Sequence, residues 1–220
     1  MYYIDGYAHK YQKINGFEAL VNTKEGIKKA FISMKPTTRA AYDLSMRENT
    51  IDGLITMDEI EKLKSGYTYT IKQDPDNIYF IQTLSLWETQ LISRNFNAIR
   101  CNCKVTVQRK IYDEELCEYI WTDVYKDVCA SVSHTLTDSK NFNAGVENAT
   151  YKVIQMPIWE FIKDEEDNIL EEKVRQVKIN DRIVLKSIIS DDLEEEIVVE
   201  SVDNFGISGT IKVQGTADMR

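Results

Sequence analysis

Residues 99–107 read Ile99-Arg100-Cys101-Asn102-Cys103-Lys104-Val105-Thr106-Val107. Ile99, Cys101, Cys103, Val105 and Val107 alternate with Arg100, Asn102, Lys104 and Thr106, a period of two that continues into Gln108. A strand with one face in a core and one in water has this period, because successive side chains point to opposite faces. Working outward, residues 67–72 alternate and residues 78–84 resume with β-branched and aromatic side chains. Between them Asp74-Pro75-Asp76-Asn77 supplies turn chemistry, so a hairpin is expected there. Residues 109–116 carry the acidic turn Asp113-Glu114-Glu115, and residues 119–134 read as one or two returning strands. Further strands are expected at 151–156, 183–189, 197–202 and 207–213, the last two joined by the tight turn Asp203-Asn204-Phe205-Gly206.

One short helix interrupts this pattern. Thr56-Met57-Asp58-Glu59 has the form of a capping box, Met57, Ile60 and Leu63 follow at helical spacing, and Gly66 is placed to end the helix, so residues 56–65 are expected helical. Residues 24–30 read equally as helix or strand, with Gly26 in their middle. The fold class expected is mainly β: small barrels or sandwiches with one or two short helices. No linker composition marks a boundary, so Arg94-Asn95-Phe96-Asn97-Ala98 is taken as one. It separates a β-rich domain at 1–98 from an acidic barrel-like domain at 99–220.

The 220 residues include 27 Lys and Arg against 36 Asp and Glu, a formal charge of −9, with 43% hydrophobic residues, which argues against disorder. Residues 1–110 carry 16 basic against 12 acidic side chains, and residues 111–220 carry 11 against 24. Acid is densest at Asp164-Glu165-Glu166-Asp167 with Glu171-Glu172, and at Asp191-Asp192 with Glu194-Glu195-Glu196. Such runs form solvated loops or hairpin tips, or a surface that repels polyanions and docks a basic partner. No apolar run reaches the roughly 18 residues of a membrane span, and the N-terminus lacks a secretion signal. A soluble protein made in a cytoplasm is expected, and there the Asn148-Ala149-Thr150 sequon is chance. Cys101, Cys103, Cys117 and Cys129 read as reduced structural thiols, with a metal or redox site as the other reading.

Catalytic signatures for phosphate loops, nucleophile elbows and metal-binding helices are absent from the sequence. Histidine is scarce: His9 lies in a polar stretch, and His134 beside Ser131 and Ser133 ends a strand pattern in which neighbours alternate faces. No enzyme, cofactor or metal is expected. Tyr2, Tyr3, Tyr7 and Tyr11, with Lys10 and Lys13 among them, pack a first strand or bind a neighbouring subunit, or else stack bases or sugars. Sequence-specific nucleic-acid binding lacks its basic stripe.

An ordered series of segments in the second half carries a family resemblance. The strand 103–109 leads through an acidic turn to Ile120-Trp121 and Val124-Tyr125-Lys126-Asp127-Val128. Ala149-Thr150-Tyr151-Lys152-Val153-Ile154 precedes an acidic insert, and Ile179-Asn180-Asp181-Arg182-Ile183-Val184-Leu185 and Val202-Asp203-Asn204-Phe205 follow it. Residues 100–215 thereby resemble the small β domains of tailed-bacteriophage minor capsid and head-closure proteins. The first half, with its 67–84 hairpin, is similar to proteins joining a phage head to its tail, though the chain is about twice the length of their compact form.

The resemblance implies a non-enzymatic virion protein, made in the bacterial host's cytoplasm and placed in the neck. It implies a homo-oligomeric ring of about six or twelve copies, contacting portal or adaptor and tail proteins. DNA passes through such a ring without specific binding, and no membrane is involved. Asp164, Glu165, Glu166, Asp167, Glu194, Glu195 and Glu196 become candidates for a channel lining or subunit interface, and Tyr2, Tyr3, Tyr7 and Tyr11 for an interface. A carbohydrate- or peptide-binding barrel using Trp87, Trp121 and Trp159, a tail or baseplate component, and an enzyme remain the alternatives.

Overall fold

The computed structural model describes residues 16–36, 50–85, 93–135, 151–164, 166, 169–188, 194–204 and 209–217. Strands β1 (Phe17–Thr23), β2 (Gly26–Pro36), β3 (Thr50–Met57), β4 (Thr68–Ile71), β5 (Asp74–Leu84) and β6 (Arg94–Arg100) close a barrel in the order β1-β2-β3-β6-β5-β4. A second closed barrel, β12-β13-β14-β9-β8-β7, contains β7 (Cys103–Asp113), β8 (Glu118–Thr135), β9 (Tyr151–Pro157), β12 (Arg182–Ser187), β13 (Glu194–Asp203) and β14 (Thr210–Ala217). A two-stranded ribbon is made by β10 (Trp159–Lys163) and β11 (Ile169–Val174), neither of which the sequence pattern announced. The mainly β, barrel-forming class is therefore what the chain adopts.

The chain divides into two compact units. The first holds Met1–Cys101, Pro157–Arg175 and Gly206–Thr210, and the second Asn102–Met156, Gln176–Phe205 and Ile211–Arg220. The halves expected at 1–98 and 99–220 differ from these units at residues 99–101, 157–175 and 206–210.

Arg94–Ala98, read as a boundary, is part of β6, paired on one side with β3 and on the other with β5. The alternating stretch 99–107 is likewise not one strand. Ile99, Cys101, Cys103, Val105 and Val107 are all buried as the alternation requires, but β6 ends at Arg100 and β7 begins at Cys103. The Cys101 N–H donates to Ile78 O in the first unit, and the Asn102 N–H to Ala130 O in the second. A uniform hydrophobic period cannot register such a change of partner strand.

The expected 56–65 helix does not form. Thr56 is buried in β3, where it pairs with Phe31, and Glu59 takes φ 56° with no side-chain capping bond. Only a 3-10 turn, Ile60–Lys62, remains of it. A ten-residue helix must first form an unfavourable nucleus. Here the apolar Ile55 and Met57 are satisfied instead by pairing with Ile32 and Ala30. Residues 24–30 resolve as the β1–β2 turn and the start of β2, with Gly26 at φ 99°, a conformation open to glycine. In the 67–84 hairpin the turn falls at Lys72-Gln73, and Asp74 instead opens β5 opposite Ile71.

The first barrel's interior sets small Ala19, Ala30 and Ala98 beside large aromatics. Tyr69 stacks on Tyr79 with ring centres 5.2 Å apart and meets Phe96 edge-on at 5.9 Å. In the second unit Val105, Val107, Ala130, Ile154, Ile183, Ile197, Val199, Ile211 and Val213 are buried. Closing the sheet removes strand edges from both barrels.

Candidate functional site

The second barrel carries an arm. Strand β12 pairs with β7 only as far as Arg182 opposite Gln108, and β9 pairs with β8 only over Ser131–Thr135. Beyond Gln108, β7 and β8 continue as a two-stranded ribbon from Gln108 opposite Asp123 to Asp113 opposite Glu118. Six residue pairs at about 3.4 Å per residue make a ribbon on the order of 20 Å long. The ladder shifts register between Val105 and Gln108, where Asp127 takes φ 49°, so bulging marks the place at which the arm leaves the barrel. At the tip Asp113 Oδ1 accepts the Glu115 and Leu116 N–H groups at 2.9 and 3.1 Å, and Cys117 adopts φ 54°.

Both faces of this ribbon carry apolar side chains. Directly paired residues share a face, which puts Trp121, Tyr112 and Tyr119 on one side and Ile111 and Ile120 on the other. Ile111 is 47% exposed, Tyr112 49%, Leu116 62% and Tyr119 69%. The tip is acidic, with Asp113, Glu114, Glu115 and Glu118 against Lys110.

An isolated two-stranded hairpin is marginal in water, and the root of the arm supplies fixed points. Arg109 donates Nε and Nη2 to the two carboxylate oxygens of Asp181, each at 2.8 Å, and Nη2 also reaches Gln176 O at 3.0 Å. The Asp181 side chain is 3% exposed and also accepts the Lys178 N–H at 2.8 Å. Hydrogen bonding to Asp181 pushes the Arg109 guanidinium further up from its ordinary range. Arg182 donates Nε to Gln108 Oε1 at 2.7 Å and Nη1 to Glu196 Oε2 at 3.0 Å, while its guanidinium carbon lies 4.6 Å from the Trp121 ring centre. Lys110 Nζ sits 5.0 Å from the same ring, and Tyr112 meets Tyr119 edge-on at 5.3 Å. The Gln108 amide donates to Asp123 at 2.7 Å and, followed by Lys126, holds the Asp123 carboxyl below its usual range.

The residues singled out from the sequence lie elsewhere. Tyr2, Tyr3, Tyr7 and Tyr11, and also Glu165, Asp167, Asp191, Asp192, Trp87 and His9, lie outside the described residues. Asp164 serves the turn between β10 and β11 by accepting the Glu166 N–H at 2.9 Å. Glu172 is paired with Lys64 at 2.5 Å and Glu171 with Lys173 at 2.9 Å. Glu194, Glu195 and Glu196 are not a loop or hairpin tip: they open β13, where Glu195 pairs with Lys152 and Glu196 with Arg182, leaving Glu194 exposed. Trp121 belongs to the second unit and Trp159 to the first, where Trp159 Nε1 donates to Ser65 O at 2.8 Å.

Cys101 and Cys103 are buried and in no disulfide, and burial pushes the Cys103 thiol up to about 12, whereas Cys117 is exposed at the arm tip. Among the described residues no three His, Cys, Asp or Glu side chains converge to hold a metal ion, and no helix is long and apolar enough to cross a membrane.

The first unit also has a surface concavity of about 420 Å³ lined by Asp52, Gly53, Thr83, Asn95, Phe96 and Asn97, among others. Asp52 is the one ionisable group among its described lining residues, and its Oδ1 accepts the Asn97 amide at 2.7 Å.

No family model, curated protein or solved structure matches the chain. The arm therefore stands on its own geometry. A period of two does not reveal it, because its signal in the sequence is a failure of alternation. Ile111-Tyr112 and Tyr119-Ile120-Trp121 are consecutive apolar residues on either side of an acidic turn.

Proposed function

We propose that the chain is a non-enzymatic structural protein of a tailed-phage virion, forming a homo-oligomeric ring in the neck between portal and tail. The observation that carries this reading is the β7–β8 arm. A ribbon that exposes apolar side chains on both faces and is pinned at its root by Arg109 and Arg182 is suited to being covered by another protein, because covering it removes Ile111, Tyr112, Leu116 and Tyr119 from water. The closed second barrel gives the arm its base, and the open strand edge lies on the arm itself. The net charge of −9 suits a ring through which DNA slides without sticking. Synthesis in the bacterial cytoplasm and a virion location follow from the same reading.

Quantitative peptide mass spectrometry of purified particles tests it, scaled to the major capsid protein. About six or twelve copies per particle are expected from closed cyclic symmetry, and absence from particles overturns the reading.

The concavity beside Asp52 favours a second reading, a non-catalytic module that binds a carbohydrate or peptide. Calorimetric titration with oligosaccharides, together with Asn97→Ala, separates the two.

A further inference from the structure

We propose that the free edge of β8 at Glu118–Asp123 accepts an extended, lysine- or arginine-bearing segment of a different protein as an added strand. The inference rests on reading the arm as an assembly element and specifies what that element binds. Among the described strands, only β7 lies beside residues 118–123, so one row of backbone N–H and C=O groups along this stretch faces away from the ribbon. Tyr119, Ile120, Trp121 and Thr122 are all strong strand formers.

Sheet edges that must stay bare are blunted by lysine, proline or bulges. The same strand shows that device a few residues later. Lys126 pairs with Asp123 at 3.2 Å, and Asp127 bulges at φ 49°. The segment from Glu118 to Thr122 has no such guard, so its edge is open to strand addition.

Charge decides the occupant. The open edge lies beside Asp113, Glu114, Glu115 and Glu118, with Lys110 already over the Trp121 ring. Antiparallel pairing of two copies centred between Ile120 and Trp121 sets Glu118 of each against Asp123 of the other, and like charges directly opposite are destabilising. A basic residue opposite Glu118 meets that carboxylate favourably instead. Alternation gives its pattern: apolar residues on the face of Tyr119 and Trp121, and Lys or Arg on the face of Glu118 and Ile120.

The test is an amide NMR titration of the ¹⁵N-labelled full chain with the capped peptide Val-Lys-Val-Lys-Val-Lys. Controls are Val-Glu-Val-Glu-Val-Glu and a lysine peptide N-methylated at alternate residues. Saturable shifts concentrated at residues 118–123 are expected for the lysine peptide, weakening as salt is raised. Both controls are expected to lose them. The exposed Glu118→Lys variant is expected to weaken the lysine peptide and admit the glutamate one.

The proposal is overturned if the lysine peptide leaves these amides unmoved, or if the N-methylated peptide shifts them equally. It is also overturned if the protein alone shifts them with concentration, because a second copy then covers the edge. Particle mass spectrometry is independent of this result. A ring copy number without peptide binding discards the strand addition alone, and binding without virion incorporation discards the neck reading alone.

Discussion

Arg109→Met tests whether the arm is held by the Arg109–Asp181 fork. The substitution keeps the length of the aliphatic stem but removes two charged donors from a carboxylate that is 3% exposed. Asp181 then keeps the Lys178 N–H, which donates to it at 2.8 Å. Removing one partner of a buried pair costs about 3–5 kcal/mol. Arg109 is 24% exposed, so water reaches one end of the site, and the lower figure, about 3 kcal/mol, is the expected loss. In a unit of this size a loss of about 3 kcal/mol lowers the melting temperature by roughly 12–24 °C.

Differential scanning calorimetry of the full chain, with urea unfolding followed by tryptophan fluorescence, measures the change. Arg109→Met/Asp181→Leu, which removes both charges, is expected to recover most of the loss, because a buried ion pair is often no better than apolar packing. A single-variant loss under about 1 kcal/mol, or a double variant as unstable as the single, refutes the reasoning.

Four further outcomes are expected. Tyr69→Phe should raise the stability of the first unit by about 1 kcal/mol in urea unfolding, because the Tyr69 hydroxyl is buried without a hydrogen-bond partner; a loss of stability contradicts this. N-ethylmaleimide at neutral pH should label Cys117 first and Cys103 only on unfolding, read by peptide mapping. Burial raises the Cys103 thiol from 9.0 to about 12, so its contribution to stability is full below 9.0 and is lost as pH climbs towards 12. Removing the thiol with Cys103→Ala should flatten that part of the alkaline limb. Glu194→Lys should slow DNA ejection from particles if this edge faces a channel, and unchanged assembly and ejection sink the channel assignment. Glu195 and Glu196 are unsuitable for that test because their reversal also breaks pairs with Lys152 and Arg182.

The candidate site was less legible than the fold. Arg109 and Asp181 are 72 residues apart, so no local pattern links them. Glu195 and Glu196 read as part of an acid run because the sequence does not show that Lys152 in β9 and Arg182 in β12 come within ion-pair distance of them. The arm left a trace in Tyr119-Ile120-Trp121, where adjacent apolar residues cannot share one buried face.

The sequence by itself determined the class of structure. Alternation at 99–107 and 67–72 fixes which side chains are buried, because a strand's period of two depends only on local backbone geometry. Only the tertiary structure decided which strand pairs with which. Thr56-Met57-Asp58-Glu59 is a good local helix start, but partners in β2 capture Thr56 and Met57 as strand. Cys101 and Cys103 continue one pattern yet enter different units, since the choice of neighbour is made by residues as distant as Ile78 and Ala130. The arm exists for the same reason: β12 stops at Gln108 and β9 reaches only Ser131, and the length of a neighbouring strand is not written in the strand it leaves uncovered.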